Sequence, residues 1–315
     1  LCDMHNFIFS TFVCEYSGRT ITGPSQNPPT SKMDQQRQHP VTAISGVTIL
    51  SRSQIEQLAM DMWLEIASFA DFHTLLQMRL ICHNTMQAVT SQLTTRYFIK
   101  WQPHHDDNLL QIFRAFPQIS KLRLYNFSTS HVAQFSSLLT SNRLIHLTSI
   151  DMTGGCPFYA IDGICNALQH SDVAVIRFSG CNFVSLPSSI GSFTNLQHLI
   201  ISDNPRLQSL PDSIGNLTNL QRLSISANLV LLPESIGNLI NLQLLDISHS
   251  SHLQSLLSSI GNLTNLQHLD IRHNTNLRSF PNSFGKLINL KYLKFFNIHG
   301  IQSLPSSIGK LTNLQ

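Results

Sequence analysis

The octapeptide Ile214-Gly215-Asn216-Leu217-Thr218-Asn219-Leu220-Gln221 decides the fold, because it recurs. It returns unchanged at 260–267 and with small changes at 190–197, 236–243, 284–291 and 308–315. Its glycines, Gly191, Gly215, Gly237, Gly261, Gly285 and Gly309, are separated by 24, 22, 24, 24 and 24 residues. The leucines that follow (Leu196, Leu220, Leu242, Leu266, Leu290, Leu314) keep those spacings and open the pattern L-x-x-L-x-L-x-x-N, as in Leu220, Leu223, Ile225 and Asn228. A second block, L-P-x-x-I-G-x-L, is seen in Leu210, Pro211, Ile214, Gly215 and Leu217. Apolar residues two apart face the same side of a short strand. One such unit cannot bury its own apolar face; stacked copies can. The two residues missing from the 22-residue repeat fall between Asn228 and Pro233, in a loop, so strand and Ile-Gly segment keep their register.

This period and lettering, from Val173 to Gln315, resemble the leucine-rich repeat family. The resemblance implies an α/β solenoid, a horseshoe with a parallel concave sheet. Upstream the repeat degrades. Ile119, Leu122 and Leu124, then Leu147, Ile150 and Met152, then Val173, Ile176 and Phe178 keep the strand pattern, at longer spacings of 28 and 26. The segments 132–139 and 161–168 between them read as helices. The column Asn204, Asn228 and Asn274 suits buried side chains that bond turn backbone between repeats. Cys181 and Ser250 share that column and Ile298 breaks it. The Asn-Leu-Thr sequons at Asn216 and Asn262 follow from the repeat lettering and carry no evidence of secretion.

Residues 53–93 have another character. Ser53 and Glu56 form a capping-box spacing. Ile55, Leu58, Met62, Ile66 and Phe69 make one helical stripe, and Met60, Trp63, Leu64 and Ala67 a second. A helix apolar nearly all round needs cover on two sides. Thr74 with Gln77 opens a second helix, containing Leu75, Leu76, Met78, Leu80 and Cys82, and Met86, Val89 and Leu93 mark a third. The run Leu58-x-x-Asp61-x-x-Leu64-Glu65-Ile66-x-Ser68-Phe69-x-Asp71, then Leu75-Leu76 and Arg79-Leu80-Ile81-Cys82, resembles an F-box. Ala59 stands where such families typically carry Pro, and Thr85 where they often carry Trp.

Composition narrows the remaining classes. At 42% hydrophobic residues the chain of 315 can build a real core. Charged residues are 12% and the net charge is +3, too mild for a nucleic-acid or polybasic membrane footprint. No apolar run approaches the ~18 residues of a membrane span. The cysteines Cys2, Cys14, Cys82, Cys156, Cys165 and Cys181 form no CxxC, which favours a reduced, cytoplasmic protein. No basic residue precedes the apolar patch Phe7–Val13, so a signal peptide is disfavoured. The natural start is expected at Met33, and the stop at Gln315, inside a repeat, implies a truncated product. No HExxH, P-loop, GxSxG or dinucleotide fingerprint occurs. His104-His105-Asp106-Asp107 reads as a solvated linker and Gly154-Gly155-Cys156 as a turn.

The expected organisation is a disordered or non-native segment with linker over 1–50 and an F-box-like three-helix domain over 51–95. A connecting segment over 96–118, irregular longer repeats over 119–172 and regular repeats over 173–315 follow. The family resemblance implies the substrate receptor of an SCF-type ubiquitin ligase, itself no enzyme and without cofactor or metal. Leu58, Met60, Trp63, Leu64, Ile66, Leu75 and Leu76 would meet the adaptor subunit, which joins it to a cullin. The repeats would hold a target protein, with no nucleic acid or membrane involved. Outward strand positions begin with Lys121, Arg123, Tyr125 and Arg177 and pass through Ser202, Ser224 and Ser226. They end in His198 at the margin, Leu244, Asp246, His249, His268, Asp270, Arg272, His273, Tyr292, Lys294 and Phe296. Aromatic and Arg side chains dominate interface energetics, so the target site is expected around Asp270, Arg272, Tyr292 and Phe296. Two other readings stand beside this one. The N-terminal helices are a mere cap on an interaction scaffold, or the chain is part of a bacterial effector, acting in host cytoplasm, whose catalytic domain lies beyond Gln315.

Overall fold

The computed structural model describes residues 99–101, 119–128, 131–133, 135, 146–169 and 171–315. The expected F-box segment, with Leu58, Met60, Trp63, Leu64, Ile66, Leu75 and Leu76, lies outside the described residues, as do His104–Asp107. Among the described residues nine strands form one sheet in chain order: β1 (Ile99–Trp101), β2 (Lys121–Tyr125), β3 (Ser149–Thr153), β4 (Val175–Ser179), β5 (His198–Asn204), β6 (Arg222–Ala227), β7 (Leu244–Ser248), β8 (His268–Asp270) and β9 (Tyr292–Lys294). Every neighbouring pair is parallel. Each repeat thus adds one strand beside the last, the architecture of a solenoid.

The inward residues of L-x-L make the core. Leu122 and Leu124, Leu199, Leu223 and Ile225, and Leu245 and Ile247 have no exposed surface. The apolar positions of the irregular repeats, Ile150, Met152, Ile176 and Phe178, stack with them in register. Between β3 and β4 runs a helix, α1 (Phe158–Leu168), which buries Ala160, Ile161, Ile164, Cys165 and Leu168. It begins three residues before the expected 161, directly after Pro157, whose φ of −68° suits a helix start. In the segment expected as the other helix, residues 132, 133 and 135 are helical.

In the regular repeats the return segment is a single turn of 3-10 helix, as at Asp212–Asn216, Glu234–Asn238 and Ser258–Asn262. The invariable glycine there is a packing requirement. A Cβ on Gly237 would stand 2.7 Å from the carbonyl oxygen of Ser259, and one on Gly261 2.5 Å from that of Ser283. The turns stack backbone on backbone, which only Gly permits.

The asparagine column is a hydrogen-bond ladder, with one correction. Asn204 and Asn274 are fully buried. Asn204 Nδ2 donates to Phe178 O at 3.2 Å and Ser202 O at 2.6 Å, while its Oδ1 accepts from Asn182 N at 3.0 Å. Ser250 and Cys181 take the same place, Ser250 Oγ donating to Ala227 O and Cys181 Sγ to Met152 O. Asn228 does not join them. The sheet register shifts between Ile201 and Asn204, so that Asn204 pairs with Ala227. Ala227 is buried, and Asn228 is half-exposed, bonded to His252 Nδ1 through its Oδ1. The cause is the short loop: Leu229 must reach the core one residue after Asn228, where Leu207 and Leu253 have three residues to do so. The longer repeats also place a left-handed residue just before the ladder: Asp203, His249, His273 and Asn297 have φ of 54°, 62°, 61° and 57°. In the short repeat neither Ser226 nor Ala227 has a positive φ.

Candidate functional site

The alternation that sends Leu and Ile inward sends their neighbours outward, where strand register aligns them in three rows. The first runs Lys121, Ser149, Val175, His198, Arg222, Leu244, His268, Tyr292. The second runs Arg123, Asp151, Arg177, Ile200, Ser224, Asp246, Asp270, Lys294. The third begins Tyr125, Thr153, Ser179, Ser202 and pairs Ser226 with Ser248.

On β2 and β3, Arg123 and Asp151 form an ion pair with Nη2 to Oδ2 at 2.7 Å. Burial works against the Arg123 charge, but the adjoining Asp151 carboxylate and the Tyr125 hydroxyl together more than offset it and the guanidinium pKa is raised. Asp151 is 5% exposed and also accepts from Thr153 Oγ1. Further along, burial first, then the charges of Arg222 and Arg177, hold the His198 imidazole below its ordinary pKa.

The late repeats bring the expected residues together. Asp246 and Asp270 are direct partners across β7 and β8, and Lys294 is the partner of Asp270 across β8 and β9. Arg272 Nε donates to Asp270 Oδ1 at 2.8 Å, and this bond with the carboxylate charge raises the Arg272 pKa. Asp246 accepts from Ser224 Oγ at 3.2 Å. Burial, then the Asp270 charge, pushes its carboxyl up. Rings gather around this charge cluster. His268 stacks on Tyr292 with centroids 4.7 Å apart, and His249 on His273 at 4.6 Å. Phe296 meets His273 edge-on at 5.7 Å. Phe296 is 67% exposed and Tyr292 41%, an unusual expense of aromatic surface in water. His249 and His273 reach the cluster from the left-handed turns at the strand ends rather than from the strands.

Among the members of the face that were not singled out by sequence are Asp151, Arg222 and Ile200. Asp151 and Arg222 are ordinary polar residues in the pattern, visible only once the register is known. Ile200 sits in the apolar run Leu199-Ile200-Ile201, where alternation gives no cue to which residue faces out.

Away from this face, a trough of about 720 Å³ follows the rim where the strands begin. Its asparagines are already engaged: Asn219, Asn241, Asn265, Asn289 and Asn313 each donate through Nδ2 to a carbonyl of the preceding repeat at 2.7–2.8 Å. No group of three or more metal-type side chains occurs among the described residues. Cys156, Cys165 and Cys181 are free and buried. Burial pushes the Cys165 thiol up to about 12. A hydrogen bond from Cys181 lowers the Cys156 pKa and raises that of Cys181, but neither sulfur is open to a substrate. Among the described residues no helix is long and apolar enough to cross a membrane.

The family model for a leucine-rich repeat region matches residues 173–284 and 234–315. Residues 173–315 are thus similar to a leucine-rich repeat region. Among solved structures, the LRR protein LIC12759 of Leptospira interrogans is 25% identical, with a TM-score of 0.50 over 69% of this chain. This chain spans 58% of that protein's length. The leucine-rich repeat domain of the type III effector XopL is 19% identical over 86% of this chain and 96% of its own, TM-score 0.49. The Arabidopsis receptor kinase HAESA ectodomain, solved with an extended IDA peptide hormone, is 25% identical over 64% and 34%, TM-score 0.49. No curated protein matches the sequence.

Proposed function

We propose that the chain is a non-catalytic leucine-rich repeat scaffold that binds a protein target on the outward face of β7–β9. The observation that carries this reading is the cluster of exposed rings and paired charges there. Tyr292, Phe296, His268 and His273 surround Asp246, Asp270 and Arg272, the mixture of aromatic and Arg anchors that concentrates interface energy. Hot-spot side chains of this kind typically cost 2 kcal/mol or more each on truncation, by order of magnitude. Replacing Arg272, Tyr292 and Phe296 with Ala removes target binding on this reading, and cross-links from bound target map to the strand side. A target that stays bound, or cross-links on the 3-10 side, refutes the placement.

A finer reading rests on the apolar pattern of residues 55–82. In it the F-box-like segment docks to the adaptor of an SCF-type ubiquitin ligase in the cytoplasm. The scaffold then raises the effective concentration of target lysines at the ligase, whose chemistry belongs to other subunits. Co-purification of adaptor and cullin tests it. Leu64→Ala with Ile66→Ala abolishes that association and leaves target binding intact, since burying such side chains is worth roughly 1.5–3 kcal/mol each. Without any adaptor association the chain is the plain scaffold. The effector alternative, with catalysis encoded beyond Gln315 and action in a host cytoplasm, is tested by reading the full open reading frame.

A further inference from the structure

The trough at the rim is lined by two columns of side-chain amides, one asparagine and one glutamine to most repeats. A second trough of about 320 Å³ shares Asn219 and Gln221 with it and carries the lining back to Asp172. Gln221 N donates to Gln197 O, Gln243 N to Gln221 O and Gln267 N to Gln243 O, each at 2.8 Å, so backbone pairing continues past the strand starts. Neighbouring amides therefore stand about 4.8 Å apart, the spacing of the sheet. The two columns offer different things. Each asparagine nitrogen is tied to a carbonyl of the repeat before, which fixes the group and leaves its oxygen to accept. The side chains of Gln197, Gln221 and Gln243 make no hydrogen bond among the described residues, and Gln267 Oε1 accepts from Lys291 Nζ at 3.2 Å. Between Asp172 at one end and Lys291 towards the other, no lining residue is charged.

We propose that this trough binds a linear, uncharged oligosaccharide, laid across the repeats with one sugar ring to each. Fixed oxygens that only accept, beside glutamine amides that donate and accept, suit hydroxyl groups, which do both. The uncharged stretch of lining has no cation to hold a phosphate polymer. Register decides between a sugar chain and a peptide. In an extended peptide the groups on one side recur every two residues, about 6.7 Å, and fall out of step with amides about 4.8 Å apart within two repeats. In an extended chain of equatorially linked pyranoses each ring advances by about one strand spacing and turns hydroxyls to both edges, so it keeps step. No aromatic ring lines the trough to stack on a sugar face, so hydrogen bonds alone hold each ring and affinity accumulates with chain length. The trough shares no residue with the cluster on β7–β9, and the two sites stand or fall separately.

The test is isothermal titration of the full chain with cellohexaose, mannohexaose and xylohexaose. At least one is expected to bind, its disaccharide on the order of tenfold more weakly, with no loss as salt is raised, since the ligand carries no charge to screen. Gln221→Ala plus Gln243→Ala, at side chains without partners, should weaken that hexaose on the order of tenfold. Tyr292→Ala plus Phe296→Ala should leave it unchanged. Maltohexaose, whose axial linkages coil the chain, should bind on the order of tenfold more weakly than the straight hexaose. A panel in which none binds overturns the proposal, as does binding that ignores the glutamine pair or the chain length. Binding lost with Tyr292 and Phe296 instead would move the sugar to the outward face, and equal binding of maltohexaose would refute one ring to each repeat. Circular dichroism keeps loss of fold separate from loss of contact, and Gln243→Ala alone takes the place of the pair if the pair does not fold.

Discussion

The side-chain amide of Asn274 donates at 2.7 Å to the carbonyl of Ile247, one full turn of the solenoid earlier. The same amide donates to Ile271 O at 2.7 Å, and Asn274 Oδ1 accepts from Ser250 N at 2.9 Å. All of this is buried. Asn274→Ala takes this partner from two carbonyls and an N–H inside the core, at a cost of roughly 3 kcal/mol. Asn228→Ala, at a half-exposed site outside the ladder, should change stability by about 0.5 kcal/mol or less. Urea midpoints of the two variants check this; equal losses would show that Asn228 is a ladder member after all.

The glycine column makes a second contrast. Gly261→Ala drives a methyl into the Ser283 carbonyl, whereas a Cβ on Gly309 meets nothing within 4 Å. The first should cost on the order of 2 kcal/mol through overpacking. The second should be neutral, or stabilising by about 0.5 kcal/mol as chain freedom is lost from the unfolded state. Thermal melting separates them.

Several serines beside that column carry a buried hydroxyl without a hydrogen-bond partner, among them Ser235 and Ser259. Removing an unsatisfied hydroxyl removes a desolvation cost. Ser259→Ala should therefore leave stability unchanged or raise it by up to about 1 kcal/mol. A clear loss in denaturant midpoint would mean that the hydroxyl finds a partner in solution.

Asp246 gives a pH signature. Its carboxyl is pushed up in the folded protein, by burial and then by Asp270. The folded state therefore holds that proton more tightly than the unfolded chain, and this residue's contribution weakens as pH rises through the raised value. Asp246→Asn should raise the melting temperature at neutral pH. The gain should shrink as pH falls through that value and be gone below the ordinary 3.8. Melting curves across this range decide it, and a gain that persists at the acidic end would assign it to packing.

Periodicity made the solenoid legible, because Leu196, Leu220 and Leu242 can share one core only if strands stack at that interval. The outward cluster on β7–β9 followed from the same alternation. Asn228 was misread for an equally physical reason. Counting from Leu223 puts it in the ladder, but the chain is also tethered at Leu229, and the shorter tether wins. The Arg123–Asp151 pair stayed hidden because its partners lie 28 residues apart in repeats of irregular length. The 3-10 turns stayed unread because Ile-Gly lettering fixes a close approach of backbones without specifying the coil that achieves it.

The single 22-residue repeat also makes the molecule a ruler for its own unravelling. Each repeat bonds to its immediate neighbours, so a pulled chain should yield one repeat at a time instead of all at once. Releasing 24 residues lengthens the tether by about 80 Å, and releasing 22 by about 75 Å. In an optical trap the part of the staircase from the regular repeats would carry one short step among equal ones, marking the passage of the rupture front through the loop between Asn228 and Pro233.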